Sequence, residues 1–194
     1  MDEAALLTDD EIVALCAVDG RPWPLGLITV GATTAEMVAA GMRGMRSLLV
    51  RQLATEAADG SGVRPHESLA RDVVGFLDAT RRVGAYVAPA SDHSVLAGAA
   101  VTAAQTSDGW LLDTVTAAGV HALRRASADE SAGAIVELVE QAYSGTFFDS
   151  ADDPTAWVCV VRYGQDPAEV IAVGKGSPAH GWDASLIRDV FRDG

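Results

Sequence analysis

Apolar and polar positions change period several times along the chain, and those changes mark out its elements. Thr8-Asp9-Asp10-Glu11 sets a hydroxyl three residues before a glutamate, the capping-box arrangement that opens a helix. Ile12, Val13, Leu15 and Cys16 follow, and Gly20 ends the run. Arg21-Pro22-Trp23-Pro24 then forces extended backbone, because each proline disfavours helix in the residue before it. Leu25 to Val30 is a short apolar run, either a strand or a buried loop. Thr33 and Glu36 form a second capping box. Behind it Val38, Met42, Met45, Leu49 and Leu53 recur at helical spacing, a single apolar stripe that Met37 and Leu48 widen. That helix is expected to reach Ala54 and to bury the stripe. Gly41 and Gly44 cost about 1 kcal/mol of helicity each against alanine, and they let another element approach closely on their side.

Asp59-Gly60-Ser61-Gly62 reads as a loop. Pro65 suits the first turn of a third helix, Glu67 to Ala79, with Leu69, Val73, Phe76 and Leu77 inward. Strands are expected at Val83–Pro89, at Ser94–Thr106 and, after the hairpin signal Ser107-Asp108-Gly109, at Trp110–Thr116. Val120–Arg125 is a fourth strand or the start of a helix; the pattern leaves both open. Ser131 to Tyr143 reads as a helix with Ile135, Leu138, Val139 and Ala142 buried, and Gly145 closes it. Ala156–Tyr163 and Glu169–Val173 pair as a hairpin. A last helix, Asp183 to Phe191, carries Leu186, Ile187 and Val190. Helices and hairpins are grouped rather than alternating. The expected fold is therefore α+β, a single mixed or antiparallel sheet (central meander plus C-terminal hairpin) packed against several helices. It is expected to be a single domain over 1–194, with a helical region 1–82 and a sheet-rich region 83–194.

Composition narrows the function classes. The chain has 194 residues, 49% of them hydrophobic but only 6% aromatic, so its core is built mainly from Ala, Val and Leu. The formal net charge of −13 repels nucleic acid and anionic membranes and suits a basic or neutral protein partner. Lys175 is the only lysine; the Ala, Gly, Val, Asp and Arg bias suggests a GC-rich, actinobacterial genome. The acidic opening MDEAALLTDDE lacks the order of a signal peptide, and no apolar run reaches the ~20 residues of a membrane span. A cytoplasmic protein is expected. Cys16 and Cys159 lie in apolar runs and read as buried thiols.

No sharp chemical motif stands out. His66, His93, His121 and His180 lack metal spacing, so neither metal nor cofactor is expected. Ser91, Asp92, His93 and Ser94 offer a general base beside a hydroxyl, but a polar turn needs the same residues. Gly174-Lys175-Gly176-Ser177 lacks the spacing of a phosphate loop, and Asp149, Asp152 and Asp153 lack the alternation of a calcium loop. Trp110, Trp157 and Trp182 read first as core or anchoring residues, and Met37, Met42 and Met45 read as core rather than as an adaptable groove.

The order of elements resembles the EspG family of type VII (ESX) secretion chaperones of actinobacteria. The resemblance rests on the opening LTDDEIVALCAVDG, on RPWPLGL, on the long helix AEMVAAGMRGMRSLLVRQLA, and on GAYVAPA and DGWLLDTV. It spans Leu7 to Arg125 and implies a cytosolic, non-enzymatic chaperone that binds the tip of a helical secreted substrate through sheet edges and loops. With no chemistry elsewhere, the tip of the central hairpin (Gln105, Thr106, Ser107 and Asp108, with the adjacent Trp110) is the candidate partner-binding surface. The alternatives are an acidic immunity protein that neutralises a basic toxin, and a small-ligand binder using Asp92, His93 and Ser94.

Overall fold

The computed structural model describes residues 4–60, 62–89, 100–144, 156–164, 168–173 and 182–192. In chain order these form β1 (Ala5–Thr8), α1 (Asp9–Asp19), α2 (Thr34–Val50), β2 (Ala54–Glu56), β3 (Val63–Pro65), α3 (Glu67–Asp78), β4 (Arg82–Pro89), β5 (Ala100–Thr106), β6 (Gly109–Val115), β7 (Val120–Ala126), α4 (Ala128–Ser144), β8 (Ala156–Tyr163), β9 (Glu169–Val173) and α5 (Ala184–Arg192). Seven strands make one sheet in the order β1-β7-β6-β5-β4-β8-β9, and every neighbouring pair is antiparallel. β2 and β3 form a separate small hairpin. The fold is α+β, as the grouping of elements predicts.

Period-two alternation gives the main sheet two buried faces. Val83, Ala85, Val87, Ala103, Trp110 and Leu112 pack with Ile135, Val139, Ile187 and Phe191 of α4 and α5. Their neighbours Ala104 and Leu111 point the other way and join Leu7 and Leu123 against α1, α2 and α3, with Leu15, Leu48 and Phe76 at the centre. Helices therefore cover both faces. No helix among the described residues is long and apolar enough to cross a membrane.

Local signals place most boundaries. Both capping boxes form, Thr8 with Glu11 and Thr33 with Glu36, and Gly20 closes α1 in the left-handed region at φ 82°. Ser107 and Asp108 make the two-residue turn between β5 and β6, with Thr106 opposite Gly109. Val120–Ala126 is a strand: it lies between β6 and β1, whose backbone groups it pairs.

Three expectations are corrected. α2 stops at Val50, because Gln52 turns left-handed at φ 58° and the chain enters β2. Pro65 ends β3 instead of opening α3, whose N-cap is His66. Of the two readings open for Leu25–Val30 the loop is the one found, and Ala5–Thr8 adds a strand, which pairs β7. The stripe on α2 is buried only in part: Leu48 is in the core and Met45, Leu49 and Leu53 pack against it, but the portion at Val38 and Met42 is not covered. Ala40, Gly41, Gly44 and Leu48 are buried, while Val38 and Met42 are exposed.

Side chains occupy part of the β1 edge. Its outward Thr8 N–H donates to Glu11 Oε2 at 2.9 Å, and its outward Leu6 carbonyl accepts from Arg51 Nη2 at 2.8 Å. With two of its outward groups so occupied, this edge is a poorer template for further pairing.

Candidate functional site

Small residues set the geometry between α1 and α2. A Cβ on Gly44 would fall 1.9 Å from the carbonyl oxygen of Asp10, so glycine is what allows the two helices to touch. The contact is locked at the same end by charge. Glu11, fully buried, accepts from Ser47 Oγ at 2.7 Å and pairs with Arg51 Nη1 at 2.6 Å. Arg43 grips Asp10 with two bonds of 2.7 Å.

Because α2 spends its small face on α1, its larger apolar side chains line an open groove beside the contact. Val13, Cys16, Trp23, Met37, Met42 and Met45 line a cavity of about 480 Å³, within the ~300–1,000 Å³ typical of ligand sites. Burial, with a smaller effect of Asp19 that Arg21 opposes, pushes the Cys16 thiol up to about 12, so it stays neutral. Trp23 forms part of the wall, stacked on Phe76 with ring centroids 4.4 Å apart. The rim is apolar as well. Val38 is 59% exposed and Met42 49%. Clustered exposed hydrophobics of this kind mark interaction surfaces, and methionine suits a surface that must adapt its shape.

Charge is uneven along the groove. At its Gly20 end Arg21 donates to Asp19 Oδ2 at 2.5 Å and to Asp78 Oδ1 at 2.6 Å, one cation against two carboxylates. At the other end Arg43 is matched by Asp10, and Arg46 is exposed, one turn beyond Met42.

Behind Trp23 lies a buried ionic node. His121 Nε2 is 2.8 Å from Asp9 Oδ1, and Nδ1 is 2.9 Å from Asp113 Oδ2. All three residues are 0% exposed. Ionised carboxylates only accept, so both ring nitrogens carry hydrogen and the ring is an imidazolium. Burial opposes that charge, but the bonds and charges of Asp113 and Asp9 outweigh it and raise His121 to about 9. Burial also opposes ionisation of Asp9. Its bonds from His121 and from Thr29, at 2.6 and 2.8 Å, nonetheless hold it below the usual carboxylate range. Sealed from solvent, the node fastens α1, the Thr29 loop, β6 and β7 together and presents no group to a substrate.

A second cleft, beside β1, gathers Arg51, Arg71 and Arg125. Each is already matched by a carboxylate, respectively Glu11, Glu67 and Asp72, so the cleft carries little free positive charge.

The hairpin residues fall on both sides of the surface. Ser107 and Asp108 are exposed at the tip, and Gln105 and Thr106 are half-buried. Gln105 is tied to Arg81 through its backbone N–H at 3.0 Å and its side-chain carbonyl at 3.3 Å. Trp110 is buried, its ring 4.6 Å from that of Phe191 and its face 5.6 Å from the Arg81 guanidinium. This corrects its place on the candidate surface, because the C-terminal helix covers it. Trp182 is half-buried against the same core. Asp92, His93, Ser94, the Asp149–Pro154 loop, Gly174–Ser177 and His180 lie outside the described residues, as do Ser91 and Gly145. The groove was missed by sequence reasoning because Val38, Met42 and Met45 carry the spacing of a core stripe; the one available signal was the glycine pair on the neighbouring face.

No protein-family model matches the chain, and no curated protein matches it.

Proposed function

We propose that this is a non-enzymatic binding protein of the cytoplasm, a chaperone or adaptor resembling the type VII secretion chaperones, that receives an apolar helical segment of a partner protein in the α1–α2 groove. One observation carries the reading: an apolar groove of about 480 Å³ whose lining includes the exposed Val38 and Met42. Helices that bind grooves do so by burying one apolar face, and Ala, Met and Val surfaces accommodate such a face without polar groups to satisfy. The net charge of −13 also favours a second reading, neutralisation of a basic toxin, which uses the same surface with a different partner.

Retention of a partner on the immobilised protein tests the assignment. A helical protein held by the wild type, released by Met42→Arg, and still held by Ser107→Ala/Asp108→Ala supports the groove. Release by the hairpin substitutions but not by Met42→Arg moves binding to the Gln105–Asp108 tip and overturns it.

A further inference from the structure

The groove is not electrically symmetric, and that asymmetry bears on what it holds. Along α2 the lining runs from Thr34 to Met45, about 17 Å at ~1.5 Å per residue, the length of about three helical turns. At the Gly20 end Asp19 and Asp78 together face the single guanidinium of Arg21. Asp78 stays 61% exposed, free to meet a second cation. Bonds from Arg21 hold the Asp19 carboxyl below the usual carboxylate range, so this charge persists at neutral pH. The C-terminal end of α1 adds its own partial negative charge there, and its last turn contains no basic residue. At the Met45 end, among the described residues, Arg43 pairs with Asp10 and Arg46 is exposed.

We propose that the occupant of the groove is an amphipathic helix of a partner protein that carries basic side chains at the end lying over Asp19 and Asp78. The proposal rests on the groove reading above and specifies the chemistry of the partner. An acidic flank at that end meets like charge. A purely apolar small molecule fills the volume but leaves the exposed Asp78 unanswered. The basic end supplies what Arg21 alone does not, a second cation for two carboxylates, while the apolar face meets Met37, Val38 and Met42.

Two synthetic 18-residue helical peptides test this, sharing one Leu- and Ala-rich face and matched in helicity by circular dichroism. One carries Lys at both ends and the other Glu. Binding to the full chain is followed by fluorescence anisotropy at low salt. The Lys peptide is expected to bind more tightly by about tenfold, and Asp78→Asn to lower that preference by about threefold, the scale of one partly exposed charge. Glu140→Gln on α4 changes the net charge equally on the opposite face of the sheet, and is expected to leave the preference intact. Equal binding of both peptides, abolished by Met42→Arg, overturns the charge assignment and leaves the groove reading standing. An equal response to Asp78→Asn and Glu140→Gln makes the preference a property of net charge and likewise overturns the assignment. Binding of neither peptide, or binding indifferent to Met42→Arg, overturns both. Self-association in sedimentation that Met42→Arg removes assigns the groove to a second copy and overturns the partner.

Discussion

His121 Nε2 donates to Asp9 Oδ1 across 2.8 Å, and this single buried bond joins β7 to the first turn of α1 over a sequence separation of 112. With Asp113 on its other nitrogen, the ring is an imidazolium held between two carboxylates. Stability is therefore expected to depend on pH in a defined way. His121 is raised from its ordinary 6.5 to about 9, so its contribution is complete below 6.5 and disappears as pH rises through about 9. Asp9 is lowered from 3.8, so its contribution is present above 3.8 and disappears as pH falls through its depressed value. Urea unfolding across pH is expected to show greatest stability between 3.8 and 6.5, with on the order of 3 kcal/mol lost at the alkaline side. A profile flat from pH 6 to pH 10 contradicts the imidazolium.

Removing the ring is expected to cost more than titrating it. His121→Ala leaves Asp9 and Asp113 buried without their cation, a change worth about 3–5 kcal/mol in comparable buried pairs. Thermal unfolding measures it, and a loss below about 1 kcal/mol means that water or a rearranged side chain takes the place of the imidazole.

Gly44→Ala is expected to destabilise the protein although alanine is the better helix former. The added methyl meets the Asp10 carbonyl, and the helices must separate, at about 1–3 kcal/mol. Gly133→Ala on α4, where nothing lies within 4 Å of the added Cβ, is the control and is expected to gain up to about 1 kcal/mol. Equal behaviour of the two variants in urea refutes the close approach.

Trp110→Ala is expected to lower stability by about 3–5 kcal/mol, because the ring is buried against Phe191. Ser107→Ala and Asp108→Ala, at the exposed tip, are expected to stay within about 0.5 kcal/mol of wild type. Met42→Arg belongs with this second group in stability while abolishing partner retention. A cooperative unfolding transition shifted strongly by Met42→Arg places that side chain in the core instead.

What the sequence makes legible is what neighbours in sequence decide. Thr8 with Glu11 and Thr33 with Glu36 cap helices within one turn, and both were readable. The β-branched run of β8 and the Asp-Gly turn before β6 were equally local. The α2 stripe packs inward at Leu48 and Leu49 but misled at Val38 and Met42, because periodicity reports that a helix has an apolar face, not which element covers it; Gly41 and Gly44 chose α1 as the neighbour and left those two outside. β1 was too short to show a period. The ionic node was illegible because it exists only through register: Leu7 opposite His121 and Val115 opposite His121 bring Asp9 and Asp113 to the same ring. A histidine sharing a strand face with Leu123, and an aspartate inside WLLDTV, were its only traces.

The occupied edge at β1 has a consequence for how copies of this protein meet. With Arg51 on the Leu6 carbonyl and Glu11 on the Thr8 amide, the sheet is terminated there in part by its own side chains. Strand-to-strand zippering of two molecules through β1 must first break a bond to a guanidinium and one to a carboxylate. At high concentration the chain is thus guarded at that margin against fibrous growth, and Arg51→Ala removes the half of the guard that covers the Leu6 carbonyl.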